Sequence, residues 1–486
     1  MPGFPHCANP VPRSNFPHGF CFGRASKIES KGKKRTLRWF VAINASIELG
    51  HLIFIGLVVC SGTFSWAMAL GSVQNMLPIP FYKPSIGEEE INEVTDCLRA
   101  GWLTTGPRVK QFETEFSRYL RHQHSVAVNS CTAALHLALE AIGLRAGQAV
   151  LVPTLTFAAT AEVVRYFNAL PLLVDCRAED LNLDVEDARQ QIETALNRGL
   201  EVVAIISMHY GGQIGDVAGI TSLARQYHLK IIEDAAHCCP AYYRDTEADP
   251  WKTVGTGGEI SCYSFYANKA ITTGEGGMAC TDSDEHAERM RLMSLHGISR
   301  DPWKRYSTEG SWFYEIVAPG YKYNLTDIAA AIGLHQLRKA DGLHQRRTQR
   351  ARLYTELLGD VDEVILPRIL PNRIHSWHLY SIRLQTAGWG IDRAQVIERL
   401  KAAGIGTSVH WMPLHLHPYY RDTFGYESAS CPSATAIYAQ LVSLPLYPDL
   451  TPDQVEYVCR TLKEIVADSR VTVPGARVGD LASNEV

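Results

Sequence analysis

The sequence contains no Cys-x-x-Cys pair, no cysteine and histidine spacing of the kind that binds zinc, and no long basic run in its main body. Its twelve cysteines are scattered along 486 residues, and the adjacent Cys238 and Cys239 are poorly placed to bond to each other. These absences argue against a zinc module and a disulfide framework, and favour the reduced, buried thiols of a cytoplasmic protein. A formal net charge of −4 gives no reason to expect nucleic acid as a partner.

What the chain has in quantity is apolar sequence, since 46% of its residues are hydrophobic. That is enough for a large core and for two domains. From Gly87 to about Asp234, segments with helical periodicity alternate with short, nearly continuous apolar runs such as V-V-A-I-I-S. Such runs are typical of strands in a parallel or mixed sheet that is covered by helices on both faces. The predicted fold class is therefore α/β.

After about Asn324 the pattern changes. A long helix is predicted from Thr326 to about Leu358, then a strand in W-H-L-Y-S-I-R-L, a helix, a second strand from Gly404 to Trp411, and a final helix. This order favours a smaller α+β domain at the C-terminal end of the chain. The predicted segments are 1–75, an extension; 76–325, the large domain; 326–468, the smaller domain; and 469–486, a tail.

Residues 1–75 differ from the rest in composition. The part up to Arg38 is rich in Pro, Gly and basic residues and is predicted to be disordered. The uncharged run 52–70 is long enough for a marginal membrane span, and Ala67–Ala69 resembles a signal-peptidase site. Export with cleavage, an uncleaved anchor, and a start of translation at Met76 all stay open. We favour the last, and expect membrane contact only if residues 52–70 are a real anchor.

The stretch with the clearest chemistry runs from Ser261 to Gly277, S-C-Y-S-F-Y-A-N-K-A-I-T-T-G-E-G-G. It is predicted to open as a strand with Ile260 and Cys262 on one face, and to pass through a turn carrying Lys269 into a second strand. The run L-K-I-I-E-D-A-A-H predicts a buried strand ending at Asp234, at the edge where α/β sheets bind ligands. Taken alone, Lys269 is equally consistent with a solvated loop lysine, and Asp234 with a cap of the next turn.

Together, the lysine and the aspartate are the two groups that pyridoxal 5'-phosphate (PLP) requires, one to form a Schiff base and one to keep the pyridine nitrogen protonated. Ser264 adds a hydroxyl suited to a phosphate. E-D-A-A-H followed by S-F-Y-A-N-K and G-E-G-G resembles the sugar aminotransferases of the DegT/DnrJ/EryC1/StrS family, from about Pro80 to Ala467. The resemblance implies a fold type I PLP-transferase with a mostly parallel seven-stranded sheet and a smaller α+β C-terminal domain. It implies PLP as cofactor, Lys269 as the catalytic residue, and Asp234 and Ser264 as cofactor ligands.

The resemblance assigns further residues to the cofactor. N-S-C-T-A-A-L-H runs from a strand into a helix, so the amides of Cys131 and Thr132 can bind an anion, and the family uses the matching turn for the PLP phosphate. Phe157 matches an aromatic residue that stacks on the pyridine ring, although an aromatic at a helix start is more often core. His237 matches a residue beside the 3′ oxygen of PLP. Asn324 matches one that reaches the phosphate in the partner subunit, which implies a homodimer with shared active sites.

Two further positions concern the substrate. Thr105, in G-W-L-T-T-G-P, belongs to a motif that borders the sugar site in the family. His410 and His415, in H-W-M-P-L-H, have a spacing that could bind a metal, but no third ligand accompanies them. A substrate-pocket or structural role is favoured for His410, and no metal is predicted.

The resemblance implies transamination of a keto sugar carried by a nucleotide, with an amino acid, glutamate, as the donor. The favoured carbon is C4, as in the 4-amino-4-deoxy-L-arabinose type, and such substrates place the enzyme in the cytoplasm. Two alternatives stay open. A sugar dehydratase of the same family carries His where the Schiff-base lysine stands, whereas this chain has Lys269. A non-catalytic regulatory protein on this fold would not need Asp234, Ser264 and Lys269 together.

Overall fold

The structure, a computed structural model, describes residues 78–298, 314–387 and 389–471. The predictions made for residues 1–75 and for most of the tail lie outside the described residues. Within the described ranges, no helix combines the length and the apolar character needed to cross a membrane. The three predicted boundaries, after residues 75, 325 and 468, stay predictions.

The helices and strands follow one another in the alternating order that the sequence predicts. The helices are α1 (Glu88–Ala100), α2 (Pro107–Leu120), α3 (Cys131–Ala141), α4 (Ala158–Tyr166), α5 (Val185–Asn197), α6 (Val217–Tyr227), α7 (Asp284–Ser294), α8 (Asp327–Arg338), α9 (Ala340–Leu358), α10 (Arg393–Ala402), α11 (Pro418–Phe424), α12 (Pro432–Gln440) and α13 (Pro452–Val471). The strands are β1 (His124–Val128), β2 (Ala149–Pro153), β3 (Leu170–Val174), β4 (Val202–Met208), β5 (Lys230–Asp234), β6 (Tyr242–Tyr243), β7 (Lys252–Thr253), β8 (Ile260–Ser264), β9 (Gly277–Thr281), β10 (Val364–Ile365), β11 (Arg373–Ile374), β12 (Tyr380–Leu384) and β13 (Leu441–Leu444).

Seven strands form the main sheet, in the order β1-β9-β8-β5-β4-β2-β3. Strand β9 is antiparallel to both of its neighbours, β1 and β8, and the pairs β8-β5, β5-β4, β4-β2 and β2-β3 are parallel. Six of the seven strands therefore point the same way, and their carboxyl ends meet at one edge. The predicted fold class, a mostly parallel seven-stranded α/β sheet, is confirmed.

Helices cover both faces of this sheet because its strands are apolar on both faces. In β8, Ile260 and Cys262 pack in the layer that contains α3, α4 and α7, as predicted, whereas Tyr263 packs with α2 and α8. Phe116 of α2 meets the Tyr263 ring edge-on at 5.2 Å between ring centroids. Helices α5 and α6 pack on β2, β4 and β5 in a further cluster. The edge where the carboxyl ends of the six strands meet is thus left open for a ligand.

The C-terminal part of the chain has a core of its own. Strands β10, β12 and β13 form a three-stranded antiparallel sheet, against which α9, α10 and α13 pack. The Tyr354 ring of α9 stacks on Tyr380 of β12 at 4.9 Å, and both side chains are fully buried. This small antiparallel sheet with packed helices is the α+β arrangement expected from the sequence after about Asn324.

Two predicted elements of this part were wrong in detail. The long helix is interrupted at Lys339, because α8 packs on α1 and α2 whereas α9 packs on α13. The strand predicted from Gly404 to Trp411 does not form. Its residues make single bridges to different partners instead, Ile405 to Ile79 and Ser408 to Ser443.

One close contact fixes the open edge of the sheet. Gly277, the first residue of β9, pairs with Val128 of β1 on one side and with Ser264 of β8 on the other. A Cβ atom at this position would come within 2.6 Å of the Cys131 nitrogen and would also overlap the backbone of Ser130. Only glycine therefore lets β9 pass the first turn of α3 at this distance.

We expect Gly277→Ala to lower the free energy of unfolding by roughly 2–3 kcal/mol, because the new methyl group meets backbone atoms that cannot rotate away. Urea unfolding followed by circular dichroism measures the change. Gly342→Ala in α9 is the matched control, since no atom lies within 4 Å of its added Cβ, and alanine at a helical position should stabilise by up to about 1 kcal/mol. Equal stability of the Gly277→Ala variant and the natural chain would contradict the close-packing argument.

Candidate active site

The structure brings three predicted groups together at the carboxyl edge of the main sheet. Asp234 ends β5, and Ser264 ends the neighbouring strand β8. Cys131 and Thr132 begin α3 just after β1, and only Gly277 of β9 separates this turn from the end of β8. An acid, a hydroxyl and the N-terminus of a helix therefore face the same space.

Asp234 is buried and held by two hydrogen bonds. Its Oδ2 accepts a hydrogen bond from the Thr160 hydroxyl at 2.8 Å, and its Oδ1 accepts one from the Ala236 N–H at 3.2 Å. Burial raises the pKa of this carboxyl, and the two hydrogen bonds and the positive charge of Lys269 only partly oppose that effect. A cationic ring nitrogen at this carboxylate would favour the ionised form further, which is the pairing that a protonated pyridine provides.

Lys269 lies in the turn after β8, where its backbone N–H donates to the Tyr266 carbonyl at 2.9 Å. Its side chain is half-buried. Desolvation lowers the pKa of the amine to about 8, and nearby acidic groups, Cys131 and Asp234 among them, partly oppose the shift. The solvated-lysine interpretation does not fit this position, because the amine is desolvated and close enough to Asp234 to interact with its charge.

The first turn of α3 is arranged to bind an anion. Ser130 caps the helix, accepting a hydrogen bond from the Ala133 N–H through its hydroxyl and one from the Ala134 N–H through its carbonyl, each at 3.1 Å. The amides of Cys131 and Thr132 precede these and have no acceptor within the helix. With the Ser264 hydroxyl on the other side of Gly277, they form a cradle suited to a phosphate.

His237 is buried in a defined tautomer. Its Nδ1 accepts a hydrogen bond from the Gly211 N–H at 3.1 Å, so the neutral ring carries its proton on Nε2. Burial, together with the charge of Lys269, lowers its pKa well below the ordinary value. The ring contacts Trp411 at 5.1 Å and His378 at 4.2 Å between centroids. His237 can therefore donate one hydrogen bond from Nε2 to an oxygen in the site.

Phe157 stands at the start of α4 and keeps 57% of its surface exposed, although the residues before it, from Pro153 to Thr156, are buried. Its ring contacts Trp411 at 6.3 Å between centroids. The alternative that this aromatic is core is wrong. An exposed ring beside a buried acid and an anion cradle fits a flat aromatic ligand, and these donor groups together fit PLP.

Thr105 and Asn324, predicted for different roles, contact each other directly. The Asn324 side-chain amide donates to the Thr105 hydroxyl at 2.7 Å, and that hydroxyl donates to the Leu325 carbonyl. The backbone of Asn324 also bridges to Val128, at the end of β1. Both residues thus lie beside the α3 turn of their own chain, on the outer side of the edge strand β1. The role of Asn324 in a partner subunit stays a prediction.

His410 is buried rather than open to a ligand. Its Nδ1 lies 2.8 Å from the Ser443 hydroxyl, and burial together with the charge of Lys269 lowers its pKa to about 4. Both ring nitrogens of His415 are taken by hydroxyls, those of Thr154 and Thr435. In the part of the chain that the structure describes, no three His, Cys, Asp or Glu residues are grouped to bind a metal ion.

Sequence reasoning missed two neighbours of the site. Thr160, whose hydroxyl donates to Asp234, lies three residues after Phe157 in the first turn of α4. That spacing places both residues at the same end of the helix and could have identified Thr160 from the sequence. His378 packs against His237, and neither of its ring nitrogens has a hydrogen-bond partner among the described residues. It stands in W-H-L-Y at the start of β12, and nothing local distinguishes it from the apolar residues around it.

Comparison with known proteins agrees with this geometry. Residues 84–463 match the model of the DegT/DnrJ/EryC1/StrS aminotransferase family. The chain is 45% identical to the uncharacterized protein MJ1066 of Methanocaldococcus jannaschii, over 81% of this chain and 98% of that protein. It is 41% identical to the spore coat polysaccharide biosynthesis protein SpsC of Bacillus subtilis, over 80% and 97%. The structure of Spr1654 from Streptococcus pneumoniae, solved in a PMP form, superposes with a TM-score of 0.72 at 30% identity, covering 80% of this chain and all of that one.

A desolvated lysine, a buried aspartate and an anion cradle at the edge of a mostly parallel sheet agree with a family match over most of the chain. The predicted cofactor and enzyme class are confirmed. The chain belongs to the DegT/DnrJ/EryC1/StrS aminotransferase family and is a PLP-dependent sugar aminotransferase.

Proposed function

We propose that the protein transfers the amino group of an amino acid, with glutamate as the donor, to the C4 carbonyl of a keto sugar carried by a nucleotide. The observation that carries the proposal is the half-buried Lys269 amine, whose pKa is lowered to about 8 and which interacts with the buried Asp234. An amine that exchanges its proton near neutral pH is what a transaminase needs at the reacting carbon. The relation to SpsC supports a sugar that is destined for a polysaccharide.

When bound, PLP supplies an electron sink that stabilises negative charge on the carbon next to the amino nitrogen. Lys269 would move a proton in each half-reaction, taking one from the α carbon of the donor in the first and giving one to the sugar carbon in the second. Asp234, oriented by Thr160, would keep the pyridine nitrogen protonated. The Nε2–H of His237 would donate to the 3′ oxygen of the cofactor. The amides of Cys131 and Thr132, with the Ser264 hydroxyl, would hold its phosphate.

We further propose that two copies of the chain assemble into a homodimer in the cytoplasm, each completing the other's site with Asn324. Asn324 supports this placement because it lies outside β1, the edge strand of the sheet. Its hydrogen bond to Thr105 also fixes the orientation of its side-chain amide. Through this hydrogen bond, Thr105 would position the Asn324 amide, which would face the cofactor phosphate and the sugar in the partner subunit's site.

We expect purified protein to absorb visible light as a PLP enzyme, and borohydride reduction followed by peptide mass spectrometry to find the cofactor on Lys269. Lys269→Ala should lower turnover with glutamate and keto sugars linked to UDP, GDP or dTDP by about 10²–10⁴-fold or more, because the group that moves the proton is gone. Lys230→Ala is the control, since Lys230 is exposed at the opposite end of β5. Near-natural turnover of Lys269→Ala would refute the assigned role.

The lowered pKa of Lys269 predicts how fast the cofactor-free protein takes up PLP. Only the unprotonated amine reacts with an aldehyde, so the uptake rate should rise with pH and level off above about pH 8. With an ordinary lysine, the uptake rate would keep rising through about pH 10. Stopped-flow absorbance between pH 6.5 and 9.5 measures the profile. Removing the negative charge in Asp234→Asn should move the rise to lower pH, because that charge raises the pKa of Lys269. A midpoint at the pKa of a free lysine would show that the amine is solvated.

The shared-site proposal predicts complementation. Lys269→Ala and Asn324→Asp proteins should each be inactive, whereas mixed dimers contain one site free of both changes and should regain part of the activity. Dimers carrying two different affinity tags are purified and assayed. A mixed dimer with no activity, although both chains are present, would show that Asn324 acts within its own chain.

A further inference from the structure

A buried carboxylate lies next to Asp234 in the chain. Glu233 precedes Asp234 in β5, and the two side chains point to opposite faces of the sheet. Only 2% of Glu233 is exposed. Its Oε2 accepts hydrogen bonds from Nε2 of His209 at 3.0 Å and from the Gly255 N–H at 2.9 Å, and its Oε1 accepts one from the Gly257 N–H at 2.7 Å. Burial raises the pKa of Glu233, but these hydrogen bonds and the charge of His209 bring it below the ordinary value, so the carboxylate is ionised near neutral pH.

The loop after β7 is shaped to hold this carboxylate. Gly255 has a φ of +94°, in the left-handed region that favours glycine. A Cβ atom at Gly257 would come within 2.6 Å of Val217 and 3.1 Å of the Glu233 carboxylate. Glycine at both positions therefore lets two backbone amides approach the carboxylate directly. The chain thus keeps a charged group at a place in the core where a well-packed apolar side chain is often the more stable choice.

His209 joins this carboxylate to the end of β5 that carries Asp234. It follows β4 directly and is 1% exposed. Its backbone N–H donates to the Asp234 carbonyl at 3.3 Å. Its Nε2 carries a proton, because the ionised Glu233 carboxylate can only accept, and its Nδ1 lies 3.5 Å from the Gly215 nitrogen. The ring of His209 is therefore held between the side chain of Glu233 and the strand end at Asp234.

The positive charge of His209 acts on Asp234. Burial raises the pKa of Asp234, and the charges of Lys269 and His209 both oppose that rise, in addition to the two hydrogen bonds described above. The other titratable groups around the two carboxylates are His122, Cys131, His237, Cys238, Tyr243, Cys262 and Tyr263. Burial keeps these groups neutral near neutral pH, because it lowers the pKa of the histidines and raises that of the thiols and phenols. Lys269 and His209 are therefore the cations around Asp234 among the described residues.

We propose that Glu233 and His209 are a positioning pair for Asp234, in which Glu233 holds the His209 imidazolium in place and that cation keeps Asp234 ionised. This inference rests on the proposed function, in which Asp234 keeps the pyridine nitrogen protonated. An ionised Asp234 is needed because a carboxylate forms a charge-assisted hydrogen bond with a protonated ring nitrogen. The pair acts as the pH falls, when Asp234 would otherwise take up a proton.

Neutral variants of similar shape test the pair through cofactor affinity, without an assay of activity. Binding of PLP to protein freed of the cofactor is measured by equilibrium dialysis from about pH 5 to about pH 8. His209→Gln can still donate to Glu233 but leaves its negative charge uncompensated. The pKa of Asp234 should then rise, and the pH midpoint at which PLP affinity falls should move up by about 1 unit or more. Glu233→Gln in the same chain removes that charge and should return the midpoint towards the natural value.

His335→Gln is the matched control, since His335 forms the same kind of pair with Glu93, at 3.3 Å, between α8 and α1, and its midpoint should equal that of the natural chain. Two outcomes overturn the pair. One is an unchanged midpoint in folded His209→Gln, and the other is a double variant displaced further than His209→Gln, as expected if both side chains were only structural. If His209→Gln does not fold, Glu233→Gln alone decides. A raised midpoint then overturns the pair and any other supports it, because removing a negative charge cannot raise the pKa of Asp234.

Asp234→Asn separates this inference from the proposed function. An unchanged PLP affinity in that variant would refute the proposed role of Asp234. A weakened affinity in that variant, together with an unchanged midpoint in His209→Gln, would overturn the pair alone.

Discussion

The structure depends on the insertion of β9 between β1 and β8, against the direction of the other six strands of the main sheet. This insertion brings the first turn of α3 and the end of β8 to opposite sides of one residue. Gly277 can occupy that place because it has no side chain to meet the backbone of Ser130 and Cys131. The anion cradle is therefore a consequence of strand order, and the hydroxyl of Ser264 and the amides of α3 meet although more than 130 residues separate them.

The electrostatics of the site follow from burial. Desolvation lowers the pKa of Lys269 and raises that of Asp234, so each group is held nearer to neutral pH than it would be in water. The surrounding histidines, His237, His378 and His410, are kept neutral by the same effect and by the charge of Lys269. Neutral rings can line the site without adding to its positive charge. Lys269 is thereby left as a cation of the site, and an anionic cofactor is a ligand that such a site favours.

The errors of the sequence-based predictions have a common cause. The helix predicted from Thr326 to Leu358 contains no proline, and the interruption falls at Lys339, a residue type that favours helices, so nothing at that position marks it. The interruption exists because α8 and α9 pack on different neighbours. The segment from Gly404 to Trp411 has the alternation of a strand, but Ile405 and Ser408 each bridge to a different partner. Periodicity predicts which residues are buried, whereas the packing partners decide where an element breaks.

The sequence by itself determined the alternation of helices and strands, the apolar faces of β8, and the identity of the lysine, aspartate and serine that converge. It could do so because periodicity and residue chemistry are local properties. Only the tertiary structure decided that Thr160 holds Asp234, that His378 packs on His237, and that Thr105 binds Asn324. These contacts join residues that are far apart in the chain. A side chain becomes buried and gains its contact partner only once the sheet and the helices have packed together.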